Sequence, residues 1–168
     1  MPKIIENLES RLVEEAKRQI EKSGYQAVTI RSVAKGCGVG VGTVYNYFSS
    51  KDELLANYLL RDWYQSLEDI QRISADANRA DVVVRCIYDQ LRQYARQHLA
   101  VFQDETAAAS YAGSFSRHHA LLRSQLAQQL RKFCGSDFAA EFIVESLLTW
   151  TMAGKRFDEI YGMIEKLL

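Results

Sequence analysis

Thr29, Arg31, Val41, Gly42, Thr43, Tyr45, Asn46, Tyr47 and Lys51 crowd into one short stretch of the chain. They offer hydroxyl, amide and phenol groups that hydrogen-bond base edges and phosphate oxygens, with a guanidinium and an ammonium that pair with phosphate. From Lys22 to Lys51 there is no Asp or Glu, while Lys22, Arg31, Lys35 and Lys51 are present. The chain as a whole is neutral, with 21 Lys and Arg against 21 Asp and Glu. Its total charge therefore does not point to nucleic acid, but this local asymmetry does. The chemistry these residues suit is the binding of a polyanion rather than the making of bonds.

Other chemistries find less support. His118 and His119 are adjacent, so on a helix they diverge by about 100° and cannot chelate one metal as an i, i+4 pair would. His98 is distant in sequence. Cys37, Cys86 and Cys134 are odd in number and include no CxxC pair, so neither a disulfide framework nor a zinc site is indicated. They read as small buried apolar residues, with a thiol redox sensor as the alternative. No nucleophile elbow, paired-carboxylate site or phosphate loop occurs, and the glycines of GCGVGVG lack the preceding strand that dinucleotide binding requires. No metal, no cofactor and no catalysis are expected.

The elements that must position the first set of residues are legible around it. Ile30, Val33, Ala34 and Cys37 recur at helical spacing, and Thr29 is placed to cap that helix. Gly38 falls where the chain must turn through roughly 90–120°, a turn whose positive φ glycine adopts without a Cβ clash. Val39 plugs the gap between two helices, and a second helix from Val41 to Phe48 turns Val44, Tyr45 and Phe48 partly inward. Its outward face then carries Val41, Gly42, Thr43, Asn46 and Tyr47. Ala34 is small where the helices cross. This is a helix-turn-helix pattern. The run from Ser49 to Glu53 reads as a cap for the next helix, with Ser50 able to bond the N–H groups near Glu53 as in a capping box, and the helix start can direct Lys51 at a phosphate.

The run GVGVGTVYNYFSSKDELL resembles the DNA-binding domain of TetR-family transcriptional regulators, a likeness covering about the first sixty residues. The chain departs from that pattern at Gly40-Val41, where the family often has Ser-Lys, and at Tyr47, where it often has His. One phosphate contact then falls to a phenol. The resemblance implies a repressor that binds a palindromic double-stranded DNA operator as a homodimer and is released by a small-molecule effector. An effector-independent architectural DNA-binding protein, or a small helical enzyme, are the alternatives.

A single proline, at Pro2, and nine glycines leave few helix breakers, so the expected fold class is all-α. The organisation expected is a three-helix DNA-binding domain with the helix-turn-helix (residues 1–52) and a C-terminal helical effector and dimerisation domain (residues 53–168). Periodicity predicts a first helix from Ile4 to Ser23 with Ile5, Leu8, Leu12, Ala16 and Ile20 on its apolar stripe. Its acidic residues Glu14, Glu15 and Glu21 are expected to point away from DNA. A fourth helix should reach Ser74 through Leu55, Leu59, Trp63, Leu67 and Ile70, followed by a loop at 75–80. Further helices are expected at 81–97, 99–112, 116–133, 137–153 and 155–168, broken at Gly113, Gly135 and Gly154, with Ser136 as an N-cap.

The C-terminal half is rich in aromatics. Trp63, Tyr88, Phe102, Tyr111, Phe115 and Trp150 are candidates for the effector site that the resemblance implies. The apolar stretch 138–150 should be buried on two sides. Phe142, Leu147, Trp150, Phe157, Ile160, Tyr161 and Ile164 are expected to pair with their symmetry mates in a four-helix dimer interface. The charged N-terminal stretch does not read as a signal peptide, and no apolar run is long enough to span a bilayer, so a cytoplasmic location away from membranes is expected.

Overall fold

A computed structural model describes residues 7–168, with side chains throughout except at 108–118. Ile4, Ile5, and the side chains of Tyr111, Phe115 and His118 lie outside the described residues. All regular elements among those described are helical, and the chain separates into two compact units.

The first unit comprises Met1–Arg61 and His98–Ser114. Helix α1 (Leu8–Ser23) buries Leu8, Leu12, Val13, Ala16 and Ile20 on one stripe and stops at Gly24, whose φ of 80° no longer fits a helix. Helix α2 (Ile30–Cys37) buries Ile30, Val33 and Ala34. Gly38 follows it at φ 68° in the left-handed region, and the Val39 N–H bonds back to the Ala34 carbonyl at 3.0 Å. A Cβ at Gly38 would meet no atom within 4 Å, so only backbone strain opposes a side chain there. Gly38→Ala is therefore expected to lower unfolding free energy by about 1–2 kcal/mol, read as a shifted urea midpoint at unchanged slope.

Helix α3 (Val41–Tyr45) is shorter than the expected Val41–Phe48. Its last turn tightens: the Asn46 and Tyr47 N–H groups bond to the carbonyls three residues back, at Thr43 and Val44. Phe48 still donates to Val44 at 3.0 Å and remains buried with it, so these two side chains anchor the element. Tyr45, expected to turn partly inward, is instead 54% exposed.

Helix α4 (Lys51–Asp76) begins with Ser50 Oγ accepting from the Glu53 N–H at 3.1 Å, while the Glu53 carboxylate accepts from the N–H and hydroxyl of Ser49. Leu54, Leu55, Tyr58 and Leu59 of α4 belong to the first core, as do Val101 and Ala107. The first unit thus extends past residue 52 to Arg61 and takes in a second segment, because those α4 side chains complete its core. Helix α6 (Leu99–Phe102) packs on α1.

The second unit comprises Asp62–Gln97 and Phe115–Leu168. Its core joins Trp63, Leu67 and Ile70 of α4 to Val83, Val84, Ile87, Tyr88 and Leu91 of helix α5 (Ala80–Gln97). Helix α7 (Glu105–Leu130) adds Leu126, Ala127 and Leu130 near its end, and a 3-10 turn at Arg131–Phe133 closes it. Gly113 does not break α7. The break falls instead at Asp104, whose Oδ1 accepts from the Thr106 and Ala107 N–H groups, both at 2.9 Å, and caps the helix.

Ser136 caps helix α8 (Asp137–Met152) as expected, accepting from the Ala139 N–H at 3.1 Å. Helix α9 (Phe157–Ile164) starts after Gly154, at φ 79°, and passes into a 3-10 turn at Glu165–Leu167. Helix α8 is not buried on two sides within the chain. Ala140, Ile143, Val144, Leu147, Leu148 and Thr151 face the core, while Phe138, Phe142, Trp150 and Met152 are exposed. Among the described residues no helix is long and apolar enough to cross a membrane.

Candidate nucleic-acid interface

The scaffold beneath the cationic stretch is a polar chain linking α1 to α2. Thr29 Oγ1 accepts from the Ser32 N–H at 3.0 Å while the Thr29 N–H donates to Ser32 Oγ, a reciprocal cap. The Ser32 hydroxyl donates to Gln19 at 2.6 Å, and Gln19 donates to Glu15 at 2.7 Å. Glu15 also accepts a two-pronged interaction from Arg18. Sequence reasoning placed Glu15 on a face pointing away. It lies instead against α2, where a Cβ at Gly36 would come within 2.0 Å of its carboxylate, so the bare glycine makes room for it. Arg18 pairs with the acid and offsets its charge.

The Arg18 hydrogen bonds hold the Glu15 carboxyl below the usual value of 4.5 against the opposing effect of burial. A carboxylate with a depressed folded-state pKa stabilises fully above its unfolded value and loses that contribution as pH falls through the folded one. Acid titration of stability should therefore steepen below about pH 4.5, and Glu15→Gln should flatten that limb in chemical denaturation measured from pH 6 to pH 3.

The outer face of α3 and the turn after it expose Val41, Gly42, Tyr45, Asn46 and Tyr47, with Thr43 half-buried beside them. Arg31 and Lys35 are exposed on α2. Thr29 is exposed but its hydroxyl is already engaged as the cap. Lys51 is held more closely than the sequence implied: its Nζ sits 3.7 Å from the Tyr25 ring centroid. Tyr25 donates its hydroxyl proton to Asp52. Burial pushes the Lys51 ammonium below its usual pKa, opposed by Asp52 and Asp104. Tyr25 and Gln19 are positioning residues that sequence reasoning missed, since neither belongs to a periodic or motif-bearing pattern.

The effector candidates fall in both units. Trp63 is 1% exposed in the second core, with its indole N–H donating to Gln125 and Tyr94 packed edge-on at 5.8 Å. Tyr88 is also core, donating to the Lys155 carbonyl at 3.0 Å. Both rings are buried within the core of the second unit. Phe102 belongs to the first unit, beside His98. The side chains of Tyr111 and Phe115 lie outside the described residues.

Trp150 does line a groove, of about 510 Å³, between α8 and α9 with Phe142, Ser146, Lys155 and Met163. Of the residues expected at a dimer interface, Phe142 (50%) and Trp150 (48%) are exposed, and Phe157 and Tyr161 stack half-buried at 5.2 Å. Leu147, Ile160 and Ile164 are buried in the chain's own second core, with Ile160 and Ile164 also bordering the groove. Phe138 and Met163 are also exposed on the same two helices.

His98 packs edge-on to Tyr58 and His119 lies 3.6 Å from Glu145. Among the described residues no three His, Cys, Asp or Glu side chains gather as a metal site. Burial raises the pKa of all three cysteine thiols, which disfavours the reactive thiolate.

A capped α2, a left-handed glycine turn and a short α3 anchored by Val44 and Phe48, with cations and hydrogen-bonding groups outward, define a helix-turn-helix DNA-binding domain. The family model described as bacterial regulatory proteins, tetR family, matches residues 12–58. Over those residues the chain is similar to the DNA-binding domain of that family.

The HTH-type transcriptional regulator Rv1816 of Mycobacterium tuberculosis is 35% identical over 91 residues, covering 54% of this chain and 37% of that one. The HTH-type transcriptional repressor KstR of Mycolicibacterium smegmatis is 40% identical over 70 residues, 42% of this chain and 31% of that one. The likeness to these relatives thus spans about a third of their length. Among solved structures, the TetR-family repressor FadR of Thermus thermophilus, in complex with lauroyl-CoA, superposes with a TM-score of 0.65 at 21% identity, over 95% of this chain and 92% of that one. The helical body beyond the matched domain therefore shares the fold of that structure.

Proposed function

We propose that this chain is a transcriptional repressor that binds a palindromic operator as a homodimer and leaves it when a small molecule binds. It acts by binding and not by catalysis, in the cytoplasm. The observation that carries the reading is the acid-free, cationic helix-turn-helix surface, in a domain matched by the TetR family model over residues 12–58. Val41, Gly42, Thr43, Tyr45, Asn46 and Tyr47 are the groups offered to the major groove. Thr29, Arg31 and Lys51 are those offered to the phosphates beside it.

The dimer reading rests on exposed apolar side chains of α8 and α9: Phe138, Phe142, Trp150 and Met163. Trp150 then belongs to the interface rather than to the effector site. Effector control is supported by relatives of the same fold, one of them solved with lauroyl-CoA bound.

DNA footprinting with purified chain, after selection from random duplexes, tests this. One or a few palindromic protected sites are expected, and a metabolite screen should find compounds that release them. Uniform coating of all duplexes would replace the reading with an architectural one.

A further inference from the structure

Two glycines of the helix-turn-helix have reasons inside the chain. Gly36 clears space for Glu15, and Gly38 takes a positive φ. Gly42 has neither. It lies within α3, is not in the left-handed region, and a Cβ built on it would meet no atom within 4 Å. Glycine is disfavoured inside a helix relative to alanine, so the fold alone argues against it. What a side chain at 42 would meet must come from outside the chain.

Val41, beside it, is a valine 36% exposed on the same outward surface. Val41 to Tyr47 includes no charged side chain, so nothing there can make the Arg or Lys contact that reads guanine. A β-branched methyl pair next to a bare backbone suits an apolar protrusion on the groove floor. In the DNA major groove the apolar protrusion is the C5-methyl of thymine.

Resting on the operator-binding reading above, we infer that Val41 reads thymine by contact with its C5-methyl group, and that Gly42 is bare so that α3 can lie close enough for that contact. Each operator half-site then holds a thymine opposite Val41, and specificity at that base pair is apolar rather than hydrogen-bonded.

Uracil differs from thymine only in lacking the methyl, so the contact can be removed from the DNA side without altering base pairing. The selected operator is resynthesised with deoxyuridine replacing each half-site thymine in turn, symmetrically in both half-sites, and binding is measured by fluorescence anisotropy. One position should lose about fourfold per half-site, or about fifteenfold for both. Val41→Ala should bind thymine and uracil operators alike at that position. Gly42→Ala should raise the thermal midpoint by about 2–4 °C and yet weaken operator binding by about tenfold or more. That opposite movement separates a contact effect from a folding defect.

Sequence-selective binding with no uracil effect at any thymine, an effect that persists unchanged in Val41→Ala, or full operator affinity in Gly42→Ala would each overturn the inference while leaving the operator reading intact. Absence of any sequence preference in the initial selection would remove both.

Discussion

A Phe142→Glu, Trp150→Arg double variant is expected to scatter light as the 19.2 kDa chain, and the parent is expected to give about twice that mass at micromolar concentration. Both side chains are about half exposed and contribute to neither core, so the helicity of the variant should match the parent. The consequence for DNA is larger than the consequence for folding. A two-fold dimer presents its recognition elements to half-sites about one helical turn apart, roughly 34–36 Å, and its second contact is made at the high effective concentration set by the first. Severing the dimer removes that advantage, and operator affinity should fall by about 100- to 10,000-fold. Leu147→Glu is the control for the opposite case: it buries a charge in the second core and should unfold that unit rather than yield a folded monomer. A double variant that stays dimeric, or a folded monomer that binds the operator as tightly as the parent, would end the interface proposal.

The helix-turn-helix was legible because its rules are local. Thr29 as cap, Gly38 as turn and the spacing of Ile30, Val33 and Ala34 each act within a few residues, and all hold in the fold. The misreadings share a different cause. Gly113 looked like a break because glycine is a poor helix former, but the glycine cost is small beside the continuous run of α7. The actual break is the carboxylate cap of Asp104, one acid among many in the sequence.

Leu147, Ile160 and Ile164 carry the same apolar signal as Phe142 and Trp150, and composition cannot say which face of a helix looks inward when nearly every position is apolar. The extent of the first packing unit past residue 52 was hidden for a related reason: Leu54 to Leu59 complete a core whose other members are α1 to α3 and the distant Val101 and Ala107. Nothing local announces that pairing. Lys51 was legible as a cation but not as one seated on Tyr25, since that contact joins the end of one loop to the start of α4.

Replacing Thr43 or Asn46 by alanine should separate base reading from phosphate clamping. Both residues lie on or just after α3, Asn46 exposed and Thr43 half-buried, so their truncation leaves Val44 and Phe48 to hold the element in place. A lost hydrogen-bonding contact to a base edge is worth about 1–3 kcal/mol, and in a two-fold dimer it is lost twice, or about 2–6 kcal/mol against the operator. Random duplex should be bound almost as before, because sequence-independent affinity resides in the phosphate contacts.

Lys51→Ala should behave in the other way. Its ammonium carries no base information, so operator and random DNA should weaken together, and the dependence of log affinity on log salt should become shallower by about one per clamp lost. Tyr25→Leu supplies the link between the two halves of this argument. It keeps the charge of Lys51 but removes the aromatic face 3.7 Å beneath it, so it should reduce affinity for all sequences while leaving the salt slope nearly unchanged. Equal losses on operator and random DNA for Thr43→Ala and Asn46→Ala would show that neither reads a base. A Lys51→Ala variant with an unaltered salt slope would show that its ammonium meets no phosphate.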